Sequence, residues 1–369
     1  MKKNAFLVVL TAILFAFSSC GKKTDFTIHG SIDGELANNC LIFLYDVNGN
    51  EPRLLDSALV TDGTFFFSGK ADTTKLGMLY SDQIDGFSFP IVIEPGDITF
   101  DADSINISGT QLNEALYQHL AATSIFKYRE ELATLSLGYS TADTKEDALE
   151  IEHEFDSINA IISSNTNTAA LDLLKSHPED VLGVYAFIEL LEYGKLDYTA
   201  LDSIRKNTST FIANSEVINV RMKPLEKAYN TSVGKHYTDI EGIIFGTNES
   251  GKLSDLIDGK FALVDFWASW CQPCIGEIKE NIIRINEKYA SKGLVVVGVD
   301  VFDDMGRHEF AVNELKIEYP QLIDTTGKAA EVYGVQGIPH IMLIASDGTI
   351  LARDLRGDSI EAAVARVLK

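Results

Sequence analysis

Cys271 and Cys274, with Gln272 and Pro273 between them, are the residues best suited to chemistry in this chain. In the first turn of a helix, positions i and i+3 share a face, so two thiols at this spacing can close a small disulfide ring. Unpaired N–H groups and the positive dipole end favour an anion there. A thiolate at Cys271 should therefore form below the roughly 8.5 of a free cysteine. Pro273 lacks an N–H, which a first turn does not need, and it fixes φ. Half of a zinc site is the competing chemistry, but it requires a second ligand pair at similar spacing. His308 and His340 stand singly, so no metal is expected. Cys271, nearer solvent, reads as the nucleophile and Cys274, one turn inside, as the resolving thiol.

The flanking residues must position this pair. Phe261 to Phe266 is apolar except for Asp265, as expected of a strand buried on both faces. After the cysteines, Ile275, Ile278, Ile282, Ile285 and Tyr289 recur at helical spacing. A hairpin at 243–253, a second strand at 294–299 and a crossover helix at 304–316 follow the same logic. A final hairpin (341–352, around Asp347-Gly348) and a helix at 359–368 complete a mixed central sheet flanked by helices. The cysteines fall at the carboxyl end of a strand, where such sheets bind ligands.

Asp265 to Cys274 resembles the thioredoxin active-site segment, and Tyr333 to Pro339 resembles its cis-proline loop. By layout, residues 236–369 are similar to the TlpA/ResA-like thiol-disulfide oxidoreductases. The resemblance implies a cis bond before Pro339, with the Ile338 backbone beside the cysteines and able to pair with an extended substrate. It also offers two proton acceptors for Cys274. Asp265 matches the buried aspartate of thioredoxin, and Glu277 the glutamate of ResA-like proteins. Burial should raise the pKa of Asp265, and Glu277 should raise it further, so that the two titrate together. Trp267 is expected to pack and Trp270 to help dock substrate. His340 follows Pro339 where family members often carry Thr; it reads as a neighbour of the site. Lys279 stands where the family usually has a helix-kinking proline, so a straighter helix is expected.

Ahead of this domain the chain changes character twice. Short runs at 26–30, 41–45, 54–60, 64–68 and 89–93 are separated by the turn clusters Asn48-Gly49, Asp62-Gly63 and Pro95-Gly96-Asp97. They give an all-β sandwich of six to eight strands over 20–109, resembling a domain of unknown function often found ahead of thioredoxin-like domains. Cys40, heading an apolar strand, is expected to be a buried, inert thiol. Residues 110–235 carry helical periodicity, with Ser163 to Thr168 as a polar breaker and His177-Pro178 as a helix boundary. This middle region reads as a connector, with dimerisation or substrate docking as alternatives. The fold is thus multidomain: β-sandwich, helical middle region and C-terminal α/β thioredoxin-like domain.

Lys2, Lys3 and the apolar Ala5 to Phe17 form a signal segment over 1–19, because thirteen residues are too few to span ~30 Å of hydrocarbon. Ser18-Ser19-Cys20-Gly21 resembles a relaxed lipobox, which implies lipidation of Cys20; an ordinary signal peptide is the alternative. A lipid anchor would place the chain at the periplasmic side of the cell envelope, with the outer membrane favoured over the inner. A formal charge of −23 argues against nucleic acid and anionic lipid surfaces as partners. The expected partners are client proteins with disulfides and a membrane thiol donor. The family resemblance implies reduction, as in cytochrome c maturation. A peroxidase of the wider fold would need Pro-x-x-x-Thr-x-x-Cys, and neither Pro nor Thr precedes Cys271 within 261–270. The remaining alternative is a binding lipoprotein whose redox domain is secondary.

Overall fold

The computed structural model describes residues 24–34, 37–142, 144–247, 249–324 and 326–368, so Cys20 and the signal segment lie outside it. The described chain divides into two units, one ending at Arg129 and one beginning at Glu130.

The first unit holds eight strands: β1 (Asp25–Ser31), β2 (Leu41–Asp46), β3 (Arg53–Leu59), β4 (Thr64–Lys70), β5 (Lys75–Tyr80), β6 (Ser88–Ile93), β7 (Gly96–Asp101) and β8 (Asn106–Ser108). They form two four-stranded sheets, ordered β4-β1-β7-β8 and β3-β2-β5-β6. Alternation drives the packing: Phe26 and Ile28 of β1, Phe65 and Phe67 of β4, and Ile98 and Phe100 of β7 all point inward. Phe89 of β6 meets Phe100 of β7 with ring centroids 5.2 Å apart, which joins the sheets. Gly30 makes room for this cluster, because a β-carbon there would fall 2.0 Å from the Phe65 ring. The Gly96-Asp97 pair, expected as a turn, instead opens β7 in parallel register with β1. Cys40, expected to be buried, is half-buried just before β2. Helix α1 (Gln111–Thr123) caps this unit, and Asn113 exchanges hydrogen bonds with the Val92 backbone at 2.8 and 2.9 Å.

The helical region comprises α2 (Arg129–Ser140), α3 (Lys145–Ser176), α4 (Val181–Glu192), α5 (Tyr198–Lys206), α6 (Thr210–Ala213) and α7 (Glu216–Asn230). The polar stretch 163–168 does not break α3. Ser163 and the Asn167 amide both donate to the Gly194 carbonyl at 3.1 Å, so polar side chains find tertiary partners without ending the helix. The boundary at His177-Pro178 is where expected, with His177 as the C-cap of α3.

The remaining elements are β9 (Glu241–Ile244), β10 (Glu249–Lys252), α8 (Leu253–Ile257), β11 (Phe261–Trp267), α9 (Gln272–Glu277), α10 (Ile283–Tyr289) and β12 (Leu294–Val301). After them come α11 (Met305–Leu315), β13 (Gln321–Asp324), α12 (Lys328–Tyr333), β14 (His340–Ile344), β15 (Ile350–Ala352) and α13 (Asp358–Val367). One seven-stranded mixed sheet runs β10-β9-β13-β12-β11-β14-β15. Its three central strands, β11, β12 and β13, are parallel, whereas β14 lies antiparallel to β11. Both faces are covered, which explains the near-continuous apolar runs of β11 and β12.

Candidate functional site

Alternation along β11 sorts its side chains. Ala262, Val264 and Phe266 join the core on one side of the sheet; Leu263 and Trp267 join the other, together with Cys271 and Cys274. Asp265 falls in register with that second set, on the side of the cysteines. The Trp267 indole donates to Gln321 Oε1 at 3.0 Å, which explains how so large a polar ring is tolerated without exposure.

Cys271 is the N-cap of α9, and it is joined to Cys274 by a disulfide with Cα atoms 5.3 Å apart. The Cys274 N–H points at Cys271 Sγ, 3.2 Å away. That N–H would serve a Cys271 thiolate in the reduced protein. The loop before Cys271 is held by Asp303, whose Oδ2 accepts from the Ser269 N–H at 2.7 Å. Exposure of Cys271 is only 4%, less than the sequence implies, against 0% for Cys274. The carbonyl oxygen of Ile338 covers it, 3.7 Å from Sγ. The Ile338–Pro339 bond is cis, so the expected segment does lie beside the dithiol.

The helix after the cysteines is neither kinked by proline nor a plain α-helix. Residues 278–282 form a π-helical turn between α9 and α10, at the place where Lys279 replaces the expected proline. Glu277, on the last turn of α9, accepts from Gly357 N–H through both oxygens (3.0 and 3.2 Å) and from the Asn281 amide at 2.8 Å.

Asp265 is fully buried and neither oxygen has a hydrogen-bond partner. Desolvation pushes its pKa up to about 8; Arg356 opposes the rise, and Glu277 adds to it. A carboxyl near 8 is a far better proton acceptor for a thiol than an ordinary carboxylate near roughly 3.9. Arg356, which no spacing signal in the sequence marks, also donates to the Pro339 carbonyl and to the Leu355 carbonyl.

His340 lies in a buried polar cluster next to Pro339. It is 5% exposed, with Nδ1 2.7 Å from Asp354 Oδ1 and Nε2 accepting from Arg353 at 3.1 and 3.3 Å. Burial lowers its pKa to about 4 against the pull of Asp354, so the ring is neutral with its proton on Nδ1. Trp270 is 52% exposed and donates from its indole to the Phe302 carbonyl at 3.1 Å. Phe302 is itself exposed, so two aromatic rings mark the surface near the dithiol.

Residues 233–353 match the AhpC/TSA family model, and residues 26–116 match a Domain of unknown function (DUF4369). The chain is 29% identical over 126 residues to the thiol-disulfide oxidoreductase ResA of Bacillus thuringiensis subsp. konkukian, covering 33% of this chain and 71% of that one. It is 38% identical over 96 residues to the thiol:disulfide interchange protein CycY of Rhizobium leguminosarum bv. viciae, covering 26% of this chain and 50% of that one. A crystal structure described as the thioredoxin domain of a thiol-disulfide oxidoreductase from Bacteroides vulgatus is 28% identical. It covers 37% of this chain and 99% of that one, with a TM-score of 0.35. The family-model and ResA matches meet the expectation of a thioredoxin-like redox domain preceded by a domain of unknown function.

Proposed function

We propose that this thioredoxin-like domain, of the TlpA/ResA oxidoreductase type, reduces disulfides in client proteins at the periplasmic side of the cell envelope. In this reading Cys20 carries the lipid anchor, and a membrane thiol donor restores the dithiol after each turnover. Clients of cytochrome c maturation are the first to examine.

The chemistry starts from the reduced pair. The Cys271 thiolate attacks one sulfur of a client disulfide, forming a mixed disulfide and releasing the other client sulfur as a thiolate. The client backbone pairs beside Ile338, which aligns its sulfur with Cys271. The ionised fraction of Asp265, a minority below about pH 8, takes the proton from Cys274, and the resulting thiolate attacks Cys271 Sγ. The second client thiolate leaves, and two electrons have passed from the dithiol to the client. Glu277 and Arg356 set the charge around Asp265. Trp270 supplies apolar contact to the docked client.

The observation that carries this reading is the position of Cys271 Sγ, at a helix start and 3.7 Å from the Ile338 carbonyl. Replacing Cys274 with Ala should leave clients covalently attached to Cys271 and released by dithiothreitol, with no adduct when Cys271 is also replaced by Ser. Absence of adducts together with undiminished reductase activity in Cys274→Ala would overturn it.

A further inference from the structure

Helix α3 carries one apolar stripe along its length, but only the second half of that stripe is enclosed. Ile158 and Ile162 are buried, and this part of the helix packs against α4. Ala148, Ile151 and Phe155 continue the stripe towards the N-terminus, yet they are only half-buried. Residues 145–157, about 20 Å of helix, contain no buried residue.

Helix α2 lies beside this overhang, joined to it through the short link 141–144. A β-carbon on Gly138 would sit 3.4 Å from Ile151 Cδ1, so the two helices touch there. No residue of α2 is buried. Its own stripe runs from Leu132 and Leu135, half-buried, to Tyr139, 54% exposed. Two helices alone cannot enclose such stripes, and a further helix laid across them would.

The open stripes are bordered by acid. From Glu130 to Asp156 the sequence holds nine carboxylates and a single Lys or Arg, Lys145. Asp147, Glu150 and Glu154 follow one flank of the α3 stripe and Glu152 the other, all of them exposed. Among the described residues, none of these four is joined to a cation by an ion pair. Charge therefore selects the occupant. A second copy would press an equally acidic hairpin against this one, and anionic lipid would be repelled likewise.

We propose that the α2–α3 hairpin docks a basic amphipathic helix of a partner protein. The partner's apolar face completes the bundle over Leu135, Ile151 and Phe155, and its Lys and Arg side chains meet the flanking carboxylates. This docking is independent of the thiol–disulfide exchange.

The test uses the full chain and three fluorescein-labelled peptides of roughly 14 residues, about the length of α2. One sets Leu at helical spacing among Lys, one keeps that pattern among Glu, and one scrambles the order of the Leu/Lys peptide. Fluorescence anisotropy should show the first binding about tenfold tighter than either of the others, with the gap over the Glu peptide closing in high salt. Glu150→Lys combined with Glu154→Lys should weaken that binding by about tenfold. Glu309→Lys combined with Glu314→Lys, at exposed positions of α11, changes the net charge equally and should leave it unaltered. Circular dichroism checks that both variants keep their helices, and the three-peptide comparison on the unaltered chain decides the matter even where one does not. Equal affinity for the Lys and Glu peptides, equal affinity for the patterned and scrambled peptides, or no binding at all would overturn the proposal. So would an equal loss from the α11 reversal, which would trace binding to overall charge. A homodimer dispersed by Ile151→Lys would assign the stripes to a second copy of this chain and end the proposal.

Discussion

Both carboxylate oxygens of Glu277 accept from the N–H of Gly357, one residue beyond Arg356. Opposite charges from the dithiol helix and from the segment after β15 thus act on the same buried Asp265, with Arg356 the stronger influence. Glu277→Gln should therefore lower the midpoint of Asp265 from about 8, and Arg356→Met should raise it. A carboxyl titration followed by infrared difference spectroscopy measures both. Movement in the same direction in the two variants would refute the arrangement.

Asp265 also makes stability depend on pH. Its folded pKa of about 8 lies above the unfolded value of roughly 3.9, so the folded state keeps a proton that the unfolded state has lost. The associated stability is present below about pH 4 and is lost as pH rises through 8. Asp265→Asn should flatten this decline and gain on the order of 3 kcal/mol at pH 7, read from urea unfolding across pH. The same variant should slow release of the mixed disulfide, because Cys274 loses its proton acceptor.

His340 works in the opposite sense. Its folded value of about 4 lies below roughly 6.5, so the neutral ring contributes stability above pH 6.5 that is lost as pH falls through 4. Unfolding free energy should drop by up to about 3 kcal/mol over that window. His340→Gln should remove most of the slope, as measured by chemical denaturation between pH 4 and 7.

Trp270 is half-exposed, and its indole N–H is engaged with Phe302. Truncation to Ala removes a docking ring while leaving the helix start untouched. An interface aromatic contributes about 1–2 kcal/mol, so KM for a protein client should rise by about 5- to 30-fold, with kcat changing less. A drop confined to kcat would reassign the residue.

The parts of the site visible in the sequence were those that break a local pattern. Asp265 stood out because it interrupts an apolar strand, and the cysteines because their spacing matches a helical turn. Arg353 and Arg356 gave no such signal: most of their partners are backbone carbonyls, which every residue possesses, and two of those of Arg353, on Ala228 and Thr231, lie more than a hundred positions away. The stretch 163–168 misled for the same reason, since composition cannot show that Gly194 waits to accept from Ser163 and Asn167. Strands β5, β7, β8 and β13 depend on pairing more than on local composition, whereas β11 and β12 announce themselves by burial on both faces.

The guanidinium of Arg353 has consequences for how such chains can be recombined. Cutting at residue 236, where the thioredoxin-like pattern begins, would discard the Ala228 and Thr231 acceptors and strip the cover that holds the Arg353 guanidinium in place. A piece starting at Glu216 keeps α7 and those acceptors. Inheritance of this redox unit by another protein would therefore carry its preceding helix along, as a chemical attachment that a sequence border conceals.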